Sequence, residues 1–210
     1  MLMTQAIQAS ELTLHEVKTK FGLQQAADEQ FFSEWQELLP ELTDSERQLL
    51  DRVKADFLYL EQYPMSEEIV KLVMLSPLLS AAGFYSPPFR VRTETPVQIS
   101  LEDEDELVRG RIDILVLQER FWVLVIESKE AGFSLKEAIP QALVYMVTSL
   151  HLDKPVFGLT TNGSEFRFLK LVKQEVSNYA LSDLFTVQRR ENDLHQVLRI
   201  LKRIGEQVKS

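Results

Sequence analysis

The stretch from Gly110 to Lys129 constrains the fold more than any other part of the sequence. Two runs of mostly aliphatic and aromatic residues, RIDILVL and FWVLVIES, are joined by the three-residue link QER. Residues of these types favour strands, and so short a link requires an antiparallel hairpin. We therefore predict paired strands at about 108–118 and 121–128.

Three ionisable residues interrupt these apolar runs. Asp113 lies inside the first strand, and Glu127 and Lys129 end the second, although an unpaired buried charge is costly. Alternate residues of a strand share a face, so a tight hairpin can bring the two carboxylates together at one end of the sheet. Two carboxylates that meet in this way repel each other unless a cation lies between them.

This arrangement predicts a Mg²⁺ site, because that ion typically takes one or two carboxylates, other oxygen atoms and water, and leaves room for a phosphate oxygen. The ion would polarise a scissile phosphate and lower the pKa of a bound water, while Lys129 positions that water or stabilises the developing negative charge. The residues alone leave a second interpretation open. In it, Lys129 neutralises Glu127 in an ion pair, and backbone groups at a sheet edge satisfy Asp113.

Helical signals dominate the first part of the chain. Residues 24–62 contain amphipathic segments, and Thr43 with Glu46 forms a capping-box pattern. Pro64 interrupts this region, and a second helical pattern follows until Gly83. We therefore predict a helical N-terminal segment followed by a separate helix.

The rest of the chain alternates strands with helices. The predicted elements, in chain order, are a strand at 89–101, an acidic turn at 102–106, the hairpin described above, a helix from Ser134 toward Ser149, a second hairpin that turns at Asn162 and Gly163, and a basic helix at 192–208. This order predicts an α/β fold with a mixed sheet flanked by helices. We expect residues 1–64 to form a helical extension packed on a domain at 65–210, the two making one compact unit.

Composition excludes several classes of protein. The chain has no cysteine, which excludes disulfide scaffolds and cysteine-ligated zinc sites. It contains neither a secretory signal pattern nor an apolar run long enough to span a membrane, so we expect a cytoplasmic protein. The histidines, His15, His151 and His195, are too scattered to predict a histidine-metal site or a Ser-His-Asp triad.

The net charge of −9 argues against nonspecific binding of nucleic acid, because affinity for phosphates depends on Lys and Arg. Residues 151–210 nevertheless carry an excess of bases. The basic residues toward the C-terminus are Arg189, Arg190, Arg199, Lys202, Arg203 and Lys209. Their surface is a candidate for contact with a nucleic-acid backbone, and a solvated helix face is the alternative.

Several motifs together resemble one family of enzymes. GRID at 110–113, VIESK at 125–129 and the helix that carries Gln141 and Tyr145 are similar to the PD-(D/E)XK nucleases. The Gln-x-x-x-Tyr element resembles in particular the N-terminal nuclease domain of type I restriction enzyme R subunits. The opening helix EEIVKLVMLSPLLSAAGF and the hairpin TTNGSEFRFLK extend the likeness over about residues 65–172. The two ends of the chain resemble small stand-alone R-subunit-like proteins of cyanobacterial type.

The resemblance implies a restriction-endonuclease-like core and a role for each matching residue. Asp113 and Glu127 would be metal ligands, the carbonyl of Ser128 a further ligand, and Lys129 the catalytic lysine. Gln141 and Tyr145, one helical turn apart, would face the metal site and the nucleic-acid backbone. On the opening helix, Glu67, or alternatively Glu68, would supply a further metal ligand.

Two positions depart from the family pattern. Ile112 stands where the family motif has proline, a common variation. Pro140 immediately precedes Gln141 and is expected to kink or delay that helix. The alternative for Glu67 and Glu68 is that both are solvated acids favoured by the helix dipole.

The resemblance implies a Mg²⁺-dependent deoxyribonuclease, with Mn²⁺ as a substitute ion and DNA as the partner. A homodimer or restriction-modification partner subunits are further expectations. The chain lacks the G-x-x-x-x-G-K-[ST] loop of an ATP-driven motor. The alternative function is a catalytically inactive nuclease-fold module that binds a protein or nucleic-acid partner.

Overall fold

The computed structural model describes residues 5–101, 106–119, 121–149 and 154–209. The helices are α1 Leu14–Lys20, α2 Asp44–Leu60, α3 Glu67–Val70, α4 Ser76–Ala81, α5 Leu135–Val147 and α6 Leu194–Lys209. The strands are β1 Gln5–Gln8, β2 Leu23–Gln25, β3 Phe89–Leu101, β4 Glu106–Gln118, β5 Phe121–Ser128, β6 Val156–Thr161, β7 Glu165–Val172 and β8 Ser177–Thr186. Two 3₁₀ segments, Ala9–Glu11 and Glu29–Trp35, and a π-helical segment, Lys71–Leu75, complete the set.

The strands form one mixed sheet with helices on both faces. Seven strands follow the order β1-β4-β5-β6-β7-β8-β2, and β3 pairs with β4. The β5–β6 pair is parallel, and α5 connects these two strands across one face, as a parallel crossover requires. This architecture confirms the predicted α/β fold of restriction-endonuclease-like type.

The sheet separates two hydrophobic cores. On one face, α5 packs on residues such as Ile112, Leu115 and Val125. On the other face, side chains from α2, the segment 67–81 and α6 pack on residues such as Val116 and Ile126. Apolar residues on both faces explain why the central strand β5 is almost continuously hydrophobic.

Several local predictions are confirmed. The hairpin β4–β5 has the expected bounds, and Thr43 and Glu46 form the predicted capping box of α2. Helix α5 begins at Leu135 and runs through Pro140 without a break, so the expected delay is wrong. Ser134 caps α5, because its hydroxyl oxygen accepts a hydrogen bond from the backbone N–H of Lys136.

The N-terminal segment contains more than the predicted helices. Strand β1 joins the sheet beside β4, and β2 joins it beside β8. Neither these two strands nor β8 was predicted. The division at residue 64 stays a prediction, and most of the predicted acidic turn, 102–105, lies outside the described residues.

Part of the predicted basic surface is used inside the molecule. The guanidinium of Arg199 donates hydrogen bonds to the carbonyl oxygens of Leu39 and Pro40, and Lys202 pairs with Glu46 at 2.7 Å. Both residues therefore have partners inside the protein, and a nucleic-acid surface on this helix stays a prediction. Within the described ranges, every helix is too short or too polar to cross a lipid bilayer.

Candidate active site

The site forms where one edge of β4 has no neighbouring strand. Strand β3 pairs with β4 from end to end, so β1 and β5 must share the opposite edge. The pairing of β4 with β1 ends at Arg109, and its pairing with β5 begins at Ile114. The backbone between these two points needs other hydrogen-bond partners, and side chains supply them.

Asp113 and Glu127 meet at this gap. The β4–β5 register, continued by one residue from the pair Ile114 and Ile126, places the two acids directly opposite each other. The backbone N–H of Asp113 donates to Glu127 Oε1 at 3.4 Å, in place of a ladder hydrogen bond. Opposite residues of an antiparallel pair lie on the same face. The predicted convergence of these two carboxylates is therefore present.

Burial dominates the electrostatics of the two acids. Glu127 is fully buried, and its Oε2 atom has no hydrogen-bond partner. This burial and the nearby Asp113 charge raise the pKa of Glu127 well above its ordinary value. Burial also raises the pKa of Asp113, although the Ser128 N–H bonded to its Oδ2 at 2.7 Å opposes that shift. Both acids therefore favour the proton, or a cation that replaces it.

Lys129 is held by a chain of hydrogen bonds from α5. Its Nζ donates to Gln141 Oε1 at 2.8 Å, and Gln141 Nε2 donates to the hydroxyl oxygen of Tyr145 at 3.1 Å. The backbone N–H of Arg111 donates to the same hydroxyl oxygen at 3.1 Å. Gln141 and Tyr145 therefore lie on one face, as their spacing predicts, and connect Lys129 to the open edge of β4.

Tyr145 acts here as a hydrogen-bonding group and not as a base. Burial, followed by the Glu127 charge, raises the pKa of its phenol to about 12. The phenol stays protonated at neutral pH. Its place in the chain makes Tyr145 a positioning residue for Gln141.

The Tyr145 ring packs directly against Gly110, which has no side chain. A methyl group at this position would overlap the phenol ring, with Cζ only 2.8 Å away. We expect Gly110→Ala to lower the free energy of unfolding by about 1–3 kcal/mol, because the ring or the strand must move. Urea unfolding followed by circular dichroism measures this change.

The matched control for that substitution is Gly205→Ala in α6. Its added methyl group would approach the ring of Phe84 no closer than 3.3 Å, and alanine in a helix is more stable than glycine by about 1 kcal/mol. We expect this control to be neutral or stabilising. Equal urea midpoints for Gly110→Ala and the unchanged protein would show that the ring is not confined as described.

Glu67 reaches the same cluster from the opposite face of the sheet. The hydroxyl of Ser128 donates to Glu67 Oε1 at 3.1 Å and lies 3.2 Å from Asp113 Oδ2. Lys71 pairs with Glu67 Oε1 at 2.6 Å and with Asp113 Oδ1 at 3.2 Å. Glu68 is exposed, and the hydrogen bond from Ser66 lowers the pKa of its carboxyl. Of the two candidate glutamates, only Glu67 is bonded to the other site residues.

The residues present fit a divalent ion at the two strand acids. The buried Oε2 of Glu127 has no other partner, and a cation beside it would satisfy that atom and reduce its repulsion with Asp113. Among the described residues, no three His, Cys, Asp or Glu side chains are grouped as ligands of one ion. Glu67 joins the cluster only through Ser128 and Lys71. A two-carboxylate set suits Mg²⁺, which keeps several waters.

A cavity of about 410 Å³ leads from solvent to Asp113. Lys71, Glu94 and Tyr85 are among its lining residues. It shares Leu72 and Tyr85 with a larger groove of about 680 Å³ beside α2. A phosphate group can therefore approach Asp113 from solvent.

The two described histidines, His15 and His195, lie away from this site. His195 pairs with Asp51 at 3.1 Å, between α6 and α2, and His15 lies on α1. His151 lies outside the described residues.

Comparisons with known proteins identify the family. None of the curated proteins compared with this chain matches it. The family model described as type I restriction enzyme R protein N terminus matches residues 20–176, which is most of the chain. The matched region contains the whole site, from Glu67 to Tyr145. The chain therefore belongs to the family of the N-terminal, nuclease-like domain of type I restriction enzyme R proteins.

Proposed function

We propose that this protein is a Mg²⁺-dependent deoxyribonuclease that hydrolyses phosphodiester bonds at Asp113, Glu127 and Lys129. One observation carries the proposal: two carboxylates with raised pKa values converge at a strand gap, next to a lysine whose ammonium is fixed by Gln141. Such perturbed acids in a cleft are typical of functional sites. Family membership supports DNA as the substrate.

Asp113 and Glu127 would hold the ion, with the carbonyl oxygen of Ser128 as a further ligand. When bound, Mg²⁺ supplies Lewis-acid polarisation of the phosphate and a water of lowered pKa. The protein keeps Glu127 fully buried and Asp113 largely buried, and it holds the two carboxylates close together, which increases their attraction for a small cation.

Lys129 would supply the positive charge that acts on the attacking water and on the phosphate. Gln141 Oε1 fixes the ammonium beside Glu127, where it can orient the attacking water and stabilise negative charge on the phosphate oxygens. Tyr145 in turn fixes the Gln141 amide. Because these bonds exist before substrate binds, little reorganisation is needed during the reaction.

A second candidate function is an inactive nuclease-fold module, and one observation favours it. The Lys71 ammonium already pairs with Asp113 and Glu67, so one of the protein's own side chains offsets part of the negative charge of this cluster. A site that is retained only for its structure would look similar. Only measurement of cleavage separates the two candidates.

The test measures cleavage of supercoiled plasmid and of circular single-stranded DNA in Mg²⁺, Mn²⁺, Ca²⁺ and EDTA. We expect cleavage in Mg²⁺ and Mn²⁺ and none in EDTA. Ca²⁺ should support binding more than cleavage, because it is larger and less strict in geometry. The Glu127→Gln variant controls for contaminating nucleases.

Three results would contradict the proposed function. Cleavage that persists in EDTA, or that the Glu127→Gln preparation retains, would show that another activity is responsible. No cleavage of either substrate in any metal would favour the inactive module.

A further inference from the structure

Lys71 lies among three carboxylates. Its Nζ is 2.6 Å from Glu67 Oε1, 3.2 Å from Asp113 Oδ1 and 3.5 Å from Glu94 Oε1. Its side chain is only 20% exposed, so solvent screens these contacts less than those of a surface pair. An ammonium therefore lies between Glu67 and Asp113, and Asp113 is one of the two acids that would hold the proposed metal ion.

The backbone on which Lys71 lies is irregular. The helix that starts at Glu67 changes to a π-helical segment, Lys71–Leu75, before α4 begins. Single π turns inside helices occur often at functional sites. This π segment begins at Lys71, the residue that reaches across to Asp113 on the sheet.

Glu94 is held in an unusual conformation opposite Asp113. The β3–β4 register pairs Thr93 with Ile114 and Thr95 with Ile112, which leaves Glu94 facing Asp113. Its φ angle is +50°, a left-handed conformation that costs free energy for any residue with a β-carbon. The strained residue contacts Lys71 and also Arg111, at 3.7 Å. Strain of this kind is found at functional sites, where surrounding contacts maintain it.

We propose that Lys71 is a tethered counter-ion that competes with the divalent cation for Asp113, and that Glu94 accepts its ammonium when the cation displaces it. This inference rests on the proposed function. It explains how three acids remain clustered before an ion binds, and why a strained glutamate faces the site. It also means that occupancy of the site depends on the concentration of free metal, because binding must first break the ion pair between Lys71 and Asp113.

The experiment measures the affinity of the full chain for Mn²⁺ by calorimetry and by electron paramagnetic resonance of the free ion. We expect Lys71→Met to bind Mn²⁺ about 10-fold more tightly, because the competing charge is gone. Glu94→Gln should bind about threefold more weakly, since the displaced ammonium loses its acceptor. In the Lys71→Met background, Glu94→Gln should have no effect.

The double variant distinguishes this role from simple attraction between Glu94 and the metal. Direct attraction would persist after Lys71 is replaced, whereas the acceptor role would disappear. Glu94→Gln leaves both shorter ion pairs of Lys71 in place, so it remains informative even where Lys71→Met does not fold without metal. A Lys71→Met protein that folds only when Mn²⁺ is added would also support the proposal.

The matched control is Lys202→Met, which removes a pair of similar length and exposure, the 2.7 Å contact with Glu46, away from the site. Asp113→Ala removes a proposed ligand and should abolish binding. If Lys71→Met and the unchanged protein bind Mn²⁺ with equal affinity, and Asp113→Ala does not bind it, the counter-ion role of Lys71 is wrong and the proposed metal site is supported. Absence of binding in every variant would overturn both the counter-ion and the metal-dependent function.

Discussion

Lys129→Met is expected to slow phosphodiester cleavage by about a thousandfold. Methionine keeps the length of the side chain but removes the ammonium that Gln141 holds at 2.8 Å. Loss of one preorganised group that stabilises transition-state charge typically costs about 10²–10³ in rate, and the loss of water positioning adds to this. Single-turnover cleavage of a labelled duplex in saturating Mg²⁺ measures the effect on the chemical step.

Binding of DNA should change much less than the rate. Lys136→Met is the matched control, because Lys136 is an exposed lysine on the first turn of α5 and outside the hydrogen-bond chain. We expect that control to cleave at the normal rate. A Lys129→Met protein that cleaves within about threefold of the unchanged protein would remove Lys129 from the mechanism.

The sequence predicted the part of the site that the hairpin creates. The link QER leaves a single topology for β4 and β5, and the period of two then places Asp113 and Glu127 on one face. The helical period likewise places Gln141 and Tyr145 one turn apart. Local geometry determined all of these positions, so local patterns were sufficient.

The site residues that the sequence did not predict reach the site through tertiary packing. The i to i+4 spacing of Glu67 and Lys71 indicates an ion pair, but nothing in that spacing shows that Lys71 also reaches Asp113 across the sheet. The positive φ of Glu94 has no sequence signal, because turn residues such as glycine or asparagine do not mark it. The strand gap itself depends on β1, a four-residue strand too short to predict from alternation.

The basic C-terminal helix shows the limit of reading a surface from charge. Arg199 and Lys202 gave a plausible nucleic-acid surface on the basis of charge alone. In the folded protein they satisfy carbonyl oxygens and an acid of the N-terminal segment. Charge patterns indicate which residues need partners but do not distinguish internal partners from external ones.

Glu127→Gln is expected to abolish cleavage and, at neutral pH, to stabilise the metal-free protein by about 1–3 kcal/mol. Burial raises the pKa of Glu127 above its ordinary value of 4.5, so the folded state favours the protonated form. The resulting cost is absent below the unfolded pKa and grows as the pH rises toward the folded pKa. Glutamine is neutral at every pH and avoids this cost. Urea unfolding in EDTA at pH 5 and pH 8 measures it, and the gain should be largest at pH 8.

The matched control is Glu34→Gln, which also replaces a buried glutamate. Glu34 pairs with Lys170 at 2.6 Å, so its loss leaves a half-buried ammonium without its carboxylate partner and should destabilise the protein. The two variants therefore have opposite expected signs, which separates a carboxylate kept for cation binding from one kept for stability. Destabilisation by Glu127→Gln at pH 8 would mean that the folded protein already stabilises the charged form, and the need for a bound cation at this carboxylate would disappear.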